Sequence, residues 1–204
     1  MKVLAFAASN NKQSINQTLA AYAANLIDDA TVEVLDINDY EMPIFSDDRE
    51  EELGQPDQAK RFFEKVGEAD AIIVSFAEHN GSYTAAYKNL FDWTSRIDGK
   101  VYQNKPMLML ASSPGPGGAT SVLASARDSA RYFAADVKAS ISVPSFYDNF
   151  DMKNNELTNP QIKQELDQAV QALAEATVGP KSNNLRQSEP LPFALHWRLF
   201  AWIP

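Results

Sequence analysis

The chain of 204 residues contains no cysteine. This absence excludes disulfides, thiolate nucleophiles, and zinc or iron–sulfur sites that cysteine ligates. Only two histidines are present, and no second histidine lies near His79, so we expect no metal site. If the protein carries out redox chemistry, a bound cofactor must therefore carry the electrons.

Positive charge and long apolar runs are also scarce. Lys and Arg total 18 against 27 for Asp and Glu, which gives a net charge of −9 and a pI near 4.7. This sign is wrong for a surface that binds nucleic acid or an anionic membrane. No apolar run is long enough to span a membrane, and the N-terminal stretch is too short for a signal peptide. We therefore expect a cytoplasmic protein that binds neither nucleic acid nor a membrane.

Short apolar runs recur along the chain and alternate with stretches of helical periodicity. The predicted strands are Val3–Ala8, Val32–Ile37, Ala71–Ala77, Met107–Ala111 and Val137–Val143. The predicted helices are Ile15–Ile27, Gln58–Val66, Tyr87–Ile97, Thr120–Ala135 and Gln161–Ala176. Strands that are apolar throughout need cover on both faces, so the alternation predicts a doubly wound α/β domain with a parallel sheet.

Two segments depart from this alternation. The acidic cluster at residues 47–52 is interpreted as a solvated loop or helix start rather than a binding site. Residues 180–204 are apolar, aromatic and broken by proline, without a period that fits the sheet. We assign residues 1–179 to a single domain and 180–204 to a tail, either disordered or a non-native extension, with a partner-binding segment as the alternative.

Ligands of open parallel sheets bind beyond the carboxyl ends of the strands, so the loops after the first, third and fourth strands are the candidates. The first loop, residues 8–16, lacks both the glycine-rich dinucleotide fingerprint and the ATP-binding loop. It offers hydroxyl and amide side chains at a helix start, which suits a phosphate monoester. Ser14 could bind phosphate, cap the helix, or do both.

The other two loops are polar or rich in glycine. Residues 75–84 form a polar turn with one glycine, whose backbone amides could meet the edge of a flat heterocycle, while His79 alone is more typical of a packing or solvent-facing residue. Residues 112–118 contain three of the eight glycines in the chain. They allow close approach of backbone to a ligand, although a plain turn explains them nearly as well.

Together the three loops resemble those of the NADPH-dependent FMN reductase family, which includes quinone and chromate reductases. Residues 8–16 match its G-S-x-R-x-x-S-x-N loop, and residues 77–93 match P-E-Y-N-x-S-x-P-G-x-L-K-N-x-x-D-W. Gly115–Gly118 match a G-x-G-G loop. The resemblance implies a flavodoxin-like fold with a five-stranded parallel sheet in the order 2-1-3-4-5, and it runs from about residue 2 to 177.

The resemblance also implies the site. Ser9, Asn11, Ser14 and Asn16 would hold the FMN phosphate, with Ile15 beside them. Glu78, His79 and Asn80 would line the isoalloxazine, and Ser113, Gly115, Gly117 and Gly118 would close over the ring from the other side. Lys88, Asn89, Asp92 and Trp93 are assigned to helix packing and subunit contacts.

Three departures from the family pattern, involving four residues, bear on the expected site. Asn11 stands where the family has arginine, which removes a positive charge beside the phosphate and predicts weaker FMN binding. His79 replaces a tyrosine and so removes aromatic surface from the flavin wall. Thr84 and Ala85 replace a Pro-Gly pair, which predicts a different turn.

The resemblance predicts an FMN-dependent oxidoreductase that passes hydride from NADPH or NADH, via flavin N5, to a quinone, flavin or similar small acceptor. No side chain is assigned a catalytic role. The subunits are expected to form a homodimer or homotetramer. Two alternatives stay open: a flavodoxin-like electron carrier without NAD(P)H activity, and a flavin-free interaction protein.

Overall fold

The computed structural model describes residues 1–178. The segment assigned to a tail, 180–204, lies outside the described residues, as does the last residue of the assigned domain. The strands, in chain order, are β1 (Lys2–Ala8), β2 (Thr31–Leu35), β3 (Ala71–Phe76), β4 (Glu78–His79), β5 (Ser82–Tyr83), β6 (Pro106–Ser112), β7 (Asp136–Val143), β8 (Phe150–Asp151) and β9 (Glu156–Leu157). The α-helices are α1 (Ile15–Asn25), α2 (Asp47–Leu53), α3 (Asp57–Glu68), α4 (Ala85–Ser95), α5 (Thr120–Ala130), α6 (Phe146–Asn149) and α7 (Pro160–Val178), and 3-10 helices occupy Ile37–Tyr40 and Arg131–Phe133.

Five parallel strands form the central sheet in the order β2-β1-β3-β6-β7. In the register of this sheet, Ala5 of β1 lies between Val34 of β2 and Ile73 of β3. Counting only the strands of this sheet, the order is 2-1-3-4-5, so the predicted doubly wound, flavodoxin-like arrangement is confirmed. Each predicted strand agrees with the observed one to within two residues.

Helices cover both faces of the sheet and bury separate apolar clusters. Phe62 of α3, Trp93 of α4 and Val122 of α5 belong to the cluster on one face. Leu19 of α1 and Leu173 of α7 belong to the cluster on the other. Alternate residues of each central strand feed the two clusters, because successive side chains in a strand point to opposite faces. This explains why β1, β3 and β6 are apolar in near-continuous runs.

The outer strands differ from the expectation that every strand is covered on both faces. Val34 of β2 is 45% exposed, and the first half of β7 alternates between exposed and half-buried positions, with no fully buried residue. Both are edge strands of the sheet, where cover by helices is incomplete. Three predicted helices extend past their observed ends, by two residues at α1 and at α4 and by five at α5, which ends at Ala130. Ala134 takes a left-handed conformation, which stops the chain from continuing as a helix there.

The acidic cluster at residues 47–52 lies in α2, a short helix without buried residues. Its start is capped by Ser46, whose side chain accepts a hydrogen bond from the Arg49 N–H. The interpretation of this cluster as a solvated helix start is therefore confirmed. Among the helices that residues 1–178 form, none has the length and apolar character needed to cross a membrane.

Candidate functional site

Three loops meet at the carboxyl edge of the sheet, after β1, β3 and β6, and contain every residue predicted to bind a cofactor. Because these strands are parallel neighbours, their ends lie side by side. Hydrogen bonds also join the segments directly. Asn16, in the first turn of α1, bonds to Ser112 at the end of β6, and the Thr84 hydroxyl donates to the Ala8 carbonyl at 3.0 Å. The fold thus brings the predicted segments together.

The first loop presents a set of hydrogen-bond donors. Ser9 and Ser14 are each only 7% exposed. The Ser9 oxygen accepts from the Asn11 N–H at 3.2 Å and the Ser14 oxygen accepts from the Gln17 N–H at 3.4 Å. Within residues 1–178 both hydroxyls act only as acceptors, and neither hydroxyl hydrogen has an acceptor of its own. The first-turn N–H groups of Ile15 and Asn16 have no acceptor within the helix.

This donor set fits a phosphate group, which needs several neutral donors or cations around its oxygens. The capping role of Ser14 is confirmed, since it is the N-cap of α1. Its binding of phosphate stays a prediction. The loop offers little positive charge to balance a phosphate, because the exposed Asn11 side chain is neutral. Its oxygen accepts a hydrogen bond from the Gln13 N–H. The neighbouring Lys12 is exposed and, in the described part of the chain, forms no ion pair.

Asn16 has a structural function in addition to the predicted contact with phosphate. Its Oδ1 accepts from the Ser75 hydroxyl at 2.7 Å and from the Ser112 N–H at 3.0 Å, while its Nδ2 donates to the Ser112 carbonyl at 3.1 Å. The side chain therefore holds α1 against the ends of β3 and β6. A contact between Asn16 and phosphate would have to use its backbone N–H or its remaining amide hydrogen.

The loop after β3 contains a tight hairpin formed by β4 and β5. Its two turn residues, Asn80 and Gly81, have φ angles of 52° and 77°. Two positive φ angles with an Asn-Gly pair are typical of the type I′ turn, which matches the twist of the flanking strands. His79 and Asn80 are exposed, while Glu78 is partly buried and accepts a hydrogen bond from the Val122 N–H at 2.9 Å. The hairpin therefore leaves two of the predicted flavin-lining side chains accessible.

Helix α4 starts at a residue where this chain departs from the family pattern. Thr84 replaces the proline and is the N-cap of α4, since its hydroxyl oxygen accepts from the Tyr87 N–H at 3.2 Å. The same hydroxyl donates to the Ala8 carbonyl at the end of β1. Thr84 thus caps the start of α4 and joins this helix to the first loop by a hydrogen bond.

The Lys-Asn-x-x-Asp-Trp motif lies along α4, and its residues have different structural roles. Trp93 is fully buried and its indole N–H donates to the Pro43 carbonyl at 2.7 Å. Asn89 donates to the Pro43 carbonyl and accepts from the Phe45 N–H at 2.8 Å. The assignment of these two side chains to packing is confirmed. Lys88 is exposed and pairs with Asp92 one helical turn away, and their assignment to subunit contacts stays a prediction.

The glycines of the loop after β6 differ in the backbone conformation and the space that they require. Gly118 has a φ of 59°, and an added Cβ would meet the Ser142 hydroxyl and the Pro144 backbone. The Ser142 hydroxyl donates to the Gly118 carbonyl at 2.7 Å, so this end of the loop is packed tightly against the end of β7. Gly115 and Gly117 have open space where a Cβ would stand, so a ligand could approach the backbone there.

A separate cavity of about 230 Å³ lies between α4 and α5, and none of the residues predicted to bind the cofactor lines it. Tyr87 and Tyr102 line it, and their hydroxyl groups are 2.6 Å apart in a mutual hydrogen bond. Burial raises the pKa of both tyrosines above the usual value of 10, so both stay neutral at physiological pH.

Several residues that shape the site were not predicted from the sequence. Ser75, Ser112 and Ser142 are polar side chains in strands, and each makes a hydrogen bond at the carboxyl edge. A buried polar side chain must find a partner, so a serine at the end of an apolar strand was a signal that could have marked this edge.

The sequence model of the NADPH-dependent FMN reductase family matches residues 1–148. The chain belongs to this family. It is 31% identical over 116 residues to the NAD(P)H-dependent FMN reductase PA1204 of Pseudomonas aeruginosa, covering 56% of this chain and 61% of that protein. It is 30% identical over 125 residues to an NADPH:quinone oxidoreductase of Arabidopsis thaliana, covering 59% of this chain and 62% of that protein. The chain thus spans somewhat less than two thirds of the length of the curated relatives it matches.

Solved structures share the fold over a larger part of the chain. The flavoenzyme NAD(P)H:(acceptor) oxidoreductase FerB of Paracoccus denitrificans superposes with a TM-score of 0.68, at 22% identity, covering 87% of this chain and 97% of that one. An FMN-dependent NADH-azoreductase of Bacillus anthracis, solved in complex with FMN, gives a TM-score of 0.58 at 12% identity, covering 85% of this chain and all of that one. At these identities the likeness supports the flavodoxin-like fold alone.

Proposed function

We propose that this protein is an FMN-dependent NAD(P)H oxidoreductase that reduces a quinone, a flavin or a similar small acceptor. The observation that carries the proposal is the meeting of the three family motif loops at one sheet edge, with the donors of the first loop in place. Ser9 and Ser14 offer hydroxyl hydrogens there, and the start of α1 offers free N–H groups. Membership of the family supports the same activity.

The residues of this chain bind and orient the cofactor in this proposal. Ser9, Ser14 and the first-turn N–H groups of α1 hold the phosphate, the hairpin of β4 and β5 lines one side of the ring, and the loop around Gly115 and Gly117 lines the other. When bound, FMN supplies the capacity to accept hydride from a nicotinamide and to pass it on. No side chain has to act as a nucleophile or as an obligatory base.

The class of acceptor is proposed from the relatives. Proteins named quinone reductase or quinone oxidoreductase occur among them, in bacteria and in plants. The net charge of −9 favours neutral acceptors such as quinones over oxyanions such as chromate, which the surface would repel. Either NADPH or NADH is compatible with the described residues.

The test is a titration of the purified protein with FMN, followed by steady-state assays with NADPH and NADH against a panel of acceptors. We expect quenching of flavin fluorescence on binding, a rise in melting temperature, and nicotinamide oxidation that depends on the quinone. A protein that FMN neither binds nor stabilises contradicts the proposal. Flavin binding without any oxidation of NADPH or NADH supports the electron carrier instead.

Two further parts of the proposal concern assembly and location. We propose a homodimer or homotetramer in the cytoplasm, as the family resemblance and the composition predict. Light scattering coupled to gel filtration measures the subunit number, and a mass of one subunit at micromolar concentration contradicts the assembly. Fractionation of cells that express the tagged protein tests the location.

A further inference from the structure

Helix α5 begins without a side-chain cap of its own. Its N-cap residue is Ala119, which has a left-handed φ of 56° and no side chain that could accept a hydrogen bond. The first N–H groups of any helix lack partners within the helix and need an acceptor from elsewhere. Val122, in the first turn of α5, is fully buried, so its N–H cannot rely on bulk water.

Glu78 supplies the missing acceptor from a distant part of the chain. Its Oε2 accepts from the Val122 N–H at 2.9 Å, although the two residues are 44 positions apart. The negative charge also lies at the positive end of the dipole of α5, which is the favourable orientation. A carboxylate from the β4–β5 hairpin therefore does what a serine or aspartate at position 119 would normally do.

The two segments joined in this way are the two walls predicted for the flavin. Glu78 belongs to the hairpin, and α5 follows directly on the loop that ends at Gly118. That loop is also bonded to the segment after β7, where the Ser145 N–H donates to the Gly115 carbonyl at 2.9 Å. The bond between Glu78 and Val122 thus ties the start of α5 to the opposite wall.

We propose that Glu78 is a positioning residue that sets the spacing between the hairpin and the glycine loop by capping α5, and not a residue that presents its charge to the ligand. The part that concerns flavin rests on the proposed function. The capping itself is a property of the protein without ligand. What matters in this proposal is an oxygen acceptor at the right distance, so a neutral amide of the same length can replace the carboxylate.

The test compares Glu78→Gln with Glu78→Ala, and uses Glu64→Gln, an exposed position on α3, as the control. Hydrogen exchange of the Val122 amide is measured first, in protein without FMN. We expect exchange about tenfold faster in Glu78→Ala, and close to wild type in Glu78→Gln because the Gln oxygen still accepts. Unchanged protection of Val122 in the alanine variant overturns the capping.

Affinity for FMN is measured next, by fluorescence titration of the same proteins. We expect about tenfold weaker binding in Glu78→Ala and less than threefold in Glu78→Gln and in the control. Equal losses in the Ala and Gln variants show that the charge acts directly and overturn the proposal, as does an unchanged affinity in Glu78→Ala. If wild type binds no FMN, the proposed function and the positioning both fail, whereas the exchange of Val122 still decides the capping.

Discussion

The Asn16 side chain accepts a hydrogen bond of 2.7 Å from the Ser75 hydroxyl at the carboxyl end of β3. Both residues are buried, and the same Asn16 oxygen also accepts from the Ser112 N–H of β6. One amide therefore joins a helix to two adjacent strands directly beneath the predicted phosphate loop. A buried polar network stabilises a protein only when every polar group in it has a hydrogen-bond partner. That condition is met here, since no buried side-chain N or O atom of the described residues lacks a partner.

Asn16→Ala should destabilise the fold by about 3 kcal/mol, because it leaves the Ser75 hydroxyl and the backbone of Ser112 without their partner. Urea denaturation followed by circular dichroism measures the change in the free energy of unfolding. Asn25→Ala is the matched control, since Asn25 lies on the same helix but is exposed. Its effect should stay below about 1 kcal/mol. Equal effects of the two substitutions would contradict the structural role of Asn16.

Gly118→Ala should cost at least about 2 kcal/mol of stability. The left-handed φ is unfavourable for alanine, and the new methyl group would press on the Ser142 hydroxyl and the Pro144 backbone. Gly117→Ala should leave stability within about 0.5 kcal/mol of wild type, because no atom lies near its Cβ position and its φ is not left-handed. Thermal melts of both variants measure the contrast.

The variants Gly117→Ala and Gly118→Ala also distinguish a glycine needed for packing from one needed for FMN binding. If Gly117 allows the backbone to approach flavin, Gly117→Ala weakens FMN binding while the melting temperature of the protein without FMN stays unchanged. A Gly117 variant that binds FMN like wild type would contradict the predicted contact. A Gly118 variant as stable as wild type would show that the end of β7 can move aside.

The fold could be predicted from the sequence because its signals are local. The apolar runs of β1, β3 and β6 are continuous because helices cover both faces of these strands, and α1 shows its buried face in its periodicity. The loops could be placed at one edge because parallel strands all end on the same side. Among the strands of the central sheet, the two edge strands departed from the expected burial, since Val34 of β2 is apolar yet nearly half exposed.

The details of the site could not be predicted in this way, because they depend on contacts between distant residues. Nothing in the sequence near Glu78 indicates that its carboxylate accepts a bond from Val122. Asn16 fits a phosphate motif, yet its side chain also bonds to two strands that are not adjacent to it in the chain. The replacement of proline by Thr84 suggested a changed turn, and only the structure shows the cap that results.

Glu68 should make stability depend on pH in the acid range. The hydrogen bond of 2.7 Å from Lys2 Nζ holds the pKa of Glu68 below its usual value of 4.5, and Lys65 adds to the effect. A carboxyl whose pKa is lower in the folded state stabilises the fold above its unfolded pKa. This contribution is lost as pH falls through the folded pKa.

Glu68→Gln should therefore lower the melting temperature slightly at pH 7 and reduce its fall between about pH 5 and pH 3. Glu64→Gln, on the same helix, is the control, because Glu64 forms no ion pair with any residue in the range 1–178. Melting temperatures at a series of pH values test this. A pH profile of Glu68→Gln that runs parallel to wild type would contradict the role of the ion pair.

Asn11→Arg should tighten FMN binding about three- to tenfold, because it restores the cation that the family pattern has beside the phosphate. The substitution gives up only an exposed hydrogen bond to the Gln13 N–H, so its cost to the loop is small. Asn10→Arg is the matched control, since it adds the same charge one residue away on a side chain that is also exposed.

Fluorescence titrations at low and high ionic strength measure the affinity of both variants for FMN. The gain in affinity of Asn11→Arg should exceed that of Asn10→Arg and persist in part at high salt, since a direct contact is screened less than a distant charge. Equal gains that vanish with salt would mean that only net charge matters, and the first loop would then not hold the phosphate through position 11.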